Sequence, residues 1–200
     1  MNEIRINDKI SFIAASENPL SADIGIIREN GSIWLYDVGN GEDHLPDSGK
    51  EYNVVLSHFH QDHTGNINRI HTGELYLSKE TYSHVLKGTI VNDSLQIGAL
   101  RIFPLPSCHA KGCLGLEIDN EYAFVGDALY CRIKDGRRIY NAQLLKEEIT
   151  VLKNMKASLL LVSHYHGMIR KKADVIDELE AIYQMRERNN AEISIRLDAE

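Results

Sequence analysis

Two hundred residues, 43% of them hydrophobic, suffice for a single domain over residues 1–200 with a substantial core. A net charge of −7 lacks the basic face of a general nucleic-acid binder, although two bound divalent cations would offset more than half of it. No run approaches the roughly eighteen apolar residues of a membrane span, the first ten residues lack a signal peptide's apolar centre, and three cysteines without a Cys-x-x-Cys pair suit a reducing compartment. These features predict a soluble cytoplasmic protein with no membrane or nucleic-acid partner, and they leave the oligomeric state open.

In chain order, Ile4 to Ala14 has the β-branched alternation of a first strand, and Asn18-Pro19 marks a loop. Residues 24–28 and 33–36 read as two strands joined by a tight turn at Asn30-Gly31, because both turn residues tolerate positive φ. Asp37 follows, either as a turn former or as an acceptor lying beneath a metal site. Tyr52 to Leu56 reads as a buried strand, Thr64 to Ile70 as a short helix, Glu74 to Leu77 as a brief strand, and Ser78 as the cap of a helix over 79–86. Two strands are predicted around Gly98, then strands at Leu114–Ile118 and Tyr122–Val125. Asn141 to Met155 is an amphipathic helix with Leu144, Leu145, Ile149 and Leu152 on one face. Ser158 to Val162 is a wholly apolar strand, Lys171 to Arg188 the last helix, and Ile193 to Leu197 alternates as an edge strand or tail.

The chemistry is concentrated in Ser57-His58-Phe59-His60-Gln61-Asp62-His63-Thr64-Gly65. His58 and His60, two apart at a strand end, point to the same side and can share one ion. Asp62 and His63 lie past the strand, where the chain turns, and can aim at a second ion. His109, Asp127 and His164 each sit in a polar break directly after or between apolar strands, so they can converge on the same sheet edge. His44, His71 and His84 lie away from such breaks and are assigned to the surface.

These motifs resemble the metallo-β-lactamase superfamily of metal-dependent hydrolases over nearly the whole chain. Residues 57–65 are similar to its Thr/Ser-His-x-His-x-Asp-His-x-Gly motif, and Asp37-Val38-Gly39 to its upstream Asp-x-Gly. Ser107 to Gly112 resembles its Pro-Gly-His-Thr-x-Gly, with Ser107-Cys108 and Ala110 as departures that cost no ligand. Gly126-Asp127 and Ser163-His164 are similar to its last two ligand motifs. The resemblance implies an α/β fold, a four-layer αββα sandwich of two mixed sheets flanked by helices. It also implies that His58, His60 and His109 hold one metal while Asp62, His63 and His164 hold a second, with Asp127 bridging. His164 fits the strand offset better than His166, which is left as a supporting or substrate contact.

That ligand set implies a hydrolase in which two divalent ions share a hydroxide that attacks a carbonyl carbon, with Asp62 orienting it. Ligation by nitrogen and oxygen alone suits Zn2+, and also Mn2+ and Fe2+. The expected substrate is a small ester, thioester or lactone. Tyr130 resembles the tyrosine that assists the carbonyl oxygen in acyl-homoserine-lactone lactonases, the alternative being that it packs under the following loop. The rival readings are an iron-dependent oxidoreductase of the same fold, such as a persulfide dioxygenase, and a phosphodiesterase.

Overall fold

Two sheets carry the fold in the computed structural model, which describes residues 3–42, 47 and 49–197. The first holds seven strands in the order β1 (Glu3–Arg5), β2 (Ile10–Ile13), β5 (Ile24–Glu29), β6 (Ser32–Tyr36), β7 (Glu51–Val55), β8 (His71–Leu77) and β9 (Thr89–Ile90). The second holds six, β10 (Leu95–Ile97), β11 (Leu100–Pro104), β12 (Leu114–Ile118), β13 (Tyr122–Gly126), β16 (Leu159–Val162) and β17 (Ile169–Lys171). A short hairpin, β3 (Ser16–Glu17) with β4 (Leu20–Ser21), projects from the first sheet. A third, three-stranded sheet joins β14 (Arg132–Lys134), β15 (Arg137–Asn141) and β18 (Glu192–Arg196).

Alternation along single strands builds the layers. In β6, Trp34 and Tyr36 face the second sheet, while Leu35 faces outward with Val54 and Leu56. In β16, Leu161 joins Phe124 between the sheets, whereas Leu160 and Val162 face outward. Gly25 admits the ring of Phe124, since a Cβ there would meet it at 2.5 Å. The outer face of the second sheet packs against α3 (Ala142–Asn154) through Leu145, Ile149 and Leu152, and against α4 (Lys172–Gln184) through Val175 and Leu179. The outer face of the first is covered by residues around α1 (Gln61–Thr64) and α2 (Lys79–Val85), among them Ile67 and Val85. The result is a four-layer αββα sandwich.

Most predicted elements are present, with several corrections. The first predicted strand is a hairpin: the Asn7 side chain accepts from the amides of Lys9 and Ile10 and turns the chain between β1 and β2. The helix expected over 64–70 instead lies inside the histidine motif, as α1. Asn141 caps α3 through the amides of Gln143 and Leu144. The last helix stops at Gln184 rather than Arg188, and the hairpin β14–β15 was not anticipated. Among the described helices, none is long and apolar enough to cross a membrane.

Candidate metal centre

The C-terminal ends of β6, β7, β13 and β16 meet at one edge of the sandwich. Their pairs β6–β7 and β13–β16 run parallel, so their last residues deliver Asp37, His58, Asp127 and His164 side by side. The two sheets are tied there by the amide of Leu114, which donates to Ser57 O at 2.8 Å, and by the Tyr36 hydroxyl, which donates to Leu114 O at 2.6 Å. Gly126 adopts φ +52, and a Cβ there would lie 2.8 Å from that of Ser57. Only glycine lets the chain turn so close to β7 and present Asp127.

Local hydrogen bonds aim each side chain. His60 O accepts from the amides of His63 and Thr64, both at 3.1 Å, closing the single turn of α1. That turn is anchored where Ala22 N donates to Asp62 O and Val38 N to His63 O, each at 2.9 Å. Ser107 Oγ accepts from the amide of His109 at 2.9 Å and donates to Ala128 O at 2.7 Å. The serine that replaces a proline in the family motif therefore pins the His109 loop. His164 has φ +59, a left-handed conformation that disfavours side chains, and its amide donates to Asp23 Oδ2 at 2.8 Å.

Asp37 fixes two tautomers. It is fully buried, with Oδ1 accepting from the amide of Ser57 and Oδ2 from the Ser57 hydroxyl and His63 Nδ1, each at 2.7 Å. Because Ser57 gives its only proton to Asp37, it must accept from His58 Nδ1, 2.9 Å away. In their neutral forms both imidazoles therefore carry their outward lone pair on Nε2. Both readings of Asp37 hold: it turns the chain with φ +62 and supports the cluster from beneath.

Two donor groups result, each with its ligand atoms within 4.8 Å of one another: His58, His60 and His109, and then Asp62, His63, Asp127 and His164. His60 Nδ1 lies 2.9 Å from His58 Nε2 and 3.0 Å from His109 Nε2. Asp127 Oδ2 lies between the groups, 3.3 Å from His63 Nε2, 3.5 Å from His109 Nε2 and 3.8 Å from His164 Nε2. Asp62 Oδ2 is 3.2 Å from His164 Nε2. His166 joins neither group and lines a neighbouring cavity. His71 and His84 are exposed, and His44 lies outside the described residues.

The electrostatics ask for a cation. Burial, reinforced by the neighbouring imidazoles, drives His58 far below the usual histidine range and keeps it neutral. Burial also lowers His109, partly offset by Asp127. Burial opposes charge on His63 too, but Asp37 and Asp127 outweigh it and lift the metal-free imidazole to about 10. A metal at Nε2 would displace that proton. Burial raises Asp62, yet its hydrogen bond to His164 and the charge of His63 prevail and lower it. Among the described residues, Asp37, Asp62 and Asp127 have histidines but no Lys or Arg as ionic partners. His63 Nε2 and Asp127 Oδ1 are buried with no hydrogen-bond partner there, a cost of about 1–3 kcal/mol each if left so. Convergent lone pairs, unmatched carboxylates and orphaned buried donor atoms fit divalent metal ions.

Tyr130 stands beside His109, ring centres 6.4 Å apart, and its hydroxyl donates to Ser163 O at 2.7 Å. Burial pushes its phenol up to about 12. Asp23 carries no sequence signal as a site residue; its role comes from contacts to Ser163 and His164, 140 and 141 positions away. A cavity of about 830 Å³ opens beside His164, and two of about 560 and 460 Å³ open beside His109.

No protein-family model matches the sequence, and no curated protein does. Solved structures match well. The DIM-1 metallo-β-lactamase superposes with a TM-score of 0.70 at 14% identity, covering 92% of this chain and 96% of that one. ST1585, a metallo-β-lactamase superfamily protein of the archaeon Sulfolobus tokodaii, gives 0.61 at 16% identity, covering 96% and 91%. A chemotaxis sensor named ODP, described with a peroxy diiron species, gives 0.66 at 14% identity, covering 90% and 94%. Identities this low speak for architecture alone, and on that they agree: the chain has the metallo-β-lactamase fold.

Proposed function

We propose that this chain is a metal-dependent hydrolase of a small ester, thioester or lactone. His58, His60 and His109 would hold one divalent ion, and Asp62, His63 and His164 a second, with Asp127 between them. The observation that carries this reading is the position of Asp127 Oδ2, within 3.5 Å of a histidine from each donor group. Two such ions, when bound, supply a water nucleophile at neutral pH and Lewis acidity at a carbonyl oxygen.

The chain's own residues supply the rest. Asp37 and Ser57 fix the tautomers of His63 and His58 before any ligand arrives, so little reorganisation is left for the reaction. Asp62, lowered by His164 and His63, stays ionised and accepts a hydrogen bond from the attacking water, which orients it. The Tyr130 hydroxyl, being neutral, can donate to a carbonyl oxygen only by giving up its bond to Ser163 O. In the resting arrangement it steadies the loop that carries His164.

A second reading has a specific observation in its favour. The same fold in ODP is described with a diiron species, and a donor set without thiolate accommodates iron as well as zinc. Elemental analysis of purified protein, paired with a panel of thioesters, lactones and phosphodiesters, tests both. Two zinc ions per chain and chelator-sensitive hydrolysis of a carbonyl substrate are expected. Iron at similar stoichiometry with no hydrolysis of any member would overturn the proposal in favour of an oxidoreductase or sensor.

A further inference from the structure

The two flanks of the metal centre differ in charge, and the difference names a substrate class. Beside His164 the large cavity is walled by apolar residues such as Ile4, Phe12 and Leu20, and its one arginine, Arg5, is bonded to Asp8 and to Asn7 O. Among the described residues lining that cavity, no Lys or Arg is uncommitted. The cavity of about 460 Å³ beside His109 is different: it lies between the third sheet and α4, and two arginines, Arg138 and Arg170, line it. Arg170 is neutralised by Glu178 and rests on the ring of Tyr165, 5.2 Å from its centre. Arg138 makes no ion pair among the described residues.

The register of the third sheet sets that arginine on a face shared with apolar residues. Arg138 pairs with Ile133 on β14 and Ile195 on β18, and Tyr140, two residues along, pairs with Ile193. Partners directly opposite, and residues two apart, share a face. One face therefore carries Ile133, Arg138, Tyr140, Ile193 and Ile195, buried at its Tyr140–Ile193 end and exposed at Ile133. Tyr140 and Ile193 are buried in the core, and Ile195 packs against it. The polar side chains of the hairpin, Arg132, Lys134, Arg137 and Asn141, fall on the opposite face. At the outer end of the Tyr140 face Arg138 is exposed, as is Ile133, and the arginine side chain lines the same cavity as His109 and Tyr130.

We propose that this cavity recognises an anionic group, a carboxylate or phosphate, on the substrate arm that lies on the His109 side, with Arg138 as the specificity-determining residue. This rests on the hydrolase reading and narrows it to esters or thioesters that are apolar on one arm and anionic on the other. A planar guanidinium can bind either oxyanion bidentately, which its neutral isosteres cannot match.

The test uses zinc-loaded full-length protein and thioester pairs that differ only in charge. Succinyl and methylsuccinyl-ester thioesters place the carboxylate on the acyl arm; butyryl thioesters of 3-mercaptopropionate and of its methyl ester place it on the thiol arm. A butyryl thioester of a phosphorylated thiol tests phosphate. The anionic member of at least one pair is expected to be preferred roughly tenfold or more in kcat/KM, mainly through KM. Arg138→Gln is expected to bring that ratio close to one, Arg138→Lys to restore part of it, and added salt to shrink it. Equal rates within every pair, or a preference that survives in Arg138→Gln, would overturn the inference while leaving hydrolysis intact. If no thioester or ester turns over, the hydrolase reading fails. The anion site is then read by calorimetric titration of glutarate and inorganic phosphate into wild type and Arg138→Gln, where equal affinities would overturn it as well.

Discussion

On the proposed two-metal reading, replacing Asp23 with alanine should weaken binding of the second metal while sparing the first. The carboxylate is 5% exposed and grips the peptide that carries His164. Its Oδ1 accepts from the amide of Ala15 at 3.1 Å and its Oδ2 from the amide of His164 at 2.8 Å. Tyr130 holds the carbonyl end of the same peptide through Ser163 O. This grip offsets the left-handed backbone of His164, which costs about 1–2 kcal/mol. Alanine would leave two amides without partners, about 1–3 kcal/mol each where water cannot reach them, so the 163–164 turn should relax. Loss of such support for a ligand costs roughly 10–100-fold in metal affinity. Asparagine has a single acceptor oxygen and should fall between wild type and alanine. Competition with a chromophoric chelator resolves the two affinities. Only an ion beside Asp62, His63 and His164 should dissociate more readily. If both affinities fall together, or if thermal stability drops while both are unchanged, Asp23 does not position His164.

His164→Ala should lose most of that second metal, whereas His166→Ala should retain both ions with reduced turnover; metal titration in the reverse order would move the ligand to His166. Asp127→Asn removes the carboxylate shared by the two donor groups at nearly constant volume, and should raise the barrier by about 3 kcal/mol. A variant within threefold of wild-type kcat, with both ions bound, would remove Asp127 from that role. Glu148 of α3 is buried with Oε1 unpaired, and burial raises its carboxyl well above its usual value of 4.5. The folded state thus holds this proton more tightly than the unfolded chain, so its stability is full below about pH 4.5 and falls as pH rises toward the folded value, by up to about 1.4 kcal/mol per unit. Glu148→Met should flatten that part of the profile and raise stability near neutrality, as followed by urea unfolding across pH; an unchanged slope would refute it.

What was legible in the sequence followed from short-range pattern. β13 and β16 are apolar runs bounded by polar breaks, and the packing of the sandwich did not override them. The candidate ligands stand out because metal sites at strand ends need His and Asp where the apolar run stops. α1 was displaced from its expected span because one turn, closed on His60 O, is enough to swing Asp62 and His63 inward, and the residues beyond it form turns instead. The β14–β15 hairpin escaped because Arg132, Lys134, Arg137 and Arg138 mask its alternation, although Asp135-Gly136 is a strong hairpin signal. Asp23 was not legible, because its partner His164 lies 141 positions away and is brought to it only by the closing of the two sheets. The role of Ser107 was not legible either, since the motif it departs from has proline there and its bond to Ala128 O depends on the fold.

That division explains why the site and the stability of the fold use the same atoms. Asp37 is placed by β6, Ser57 by β7 and Asp127 by β13, so the donor groups exist only once both sheets have closed. Among the described residues, closing them without metal leaves these carboxylates with histidines as their only ionic partners and leaves Asp127 Oδ1 without a hydrogen bond. A cation relieves each of these costs in the folded state and has no preformed site in the unfolded chain. Metal affinity is thereby added to folding free energy, growing with the logarithm of free metal over its dissociation constant. On the proposed reading, bound cations would take the place of the protons that His63 and His164 hold against Asp127 and Asp62 in the empty protein.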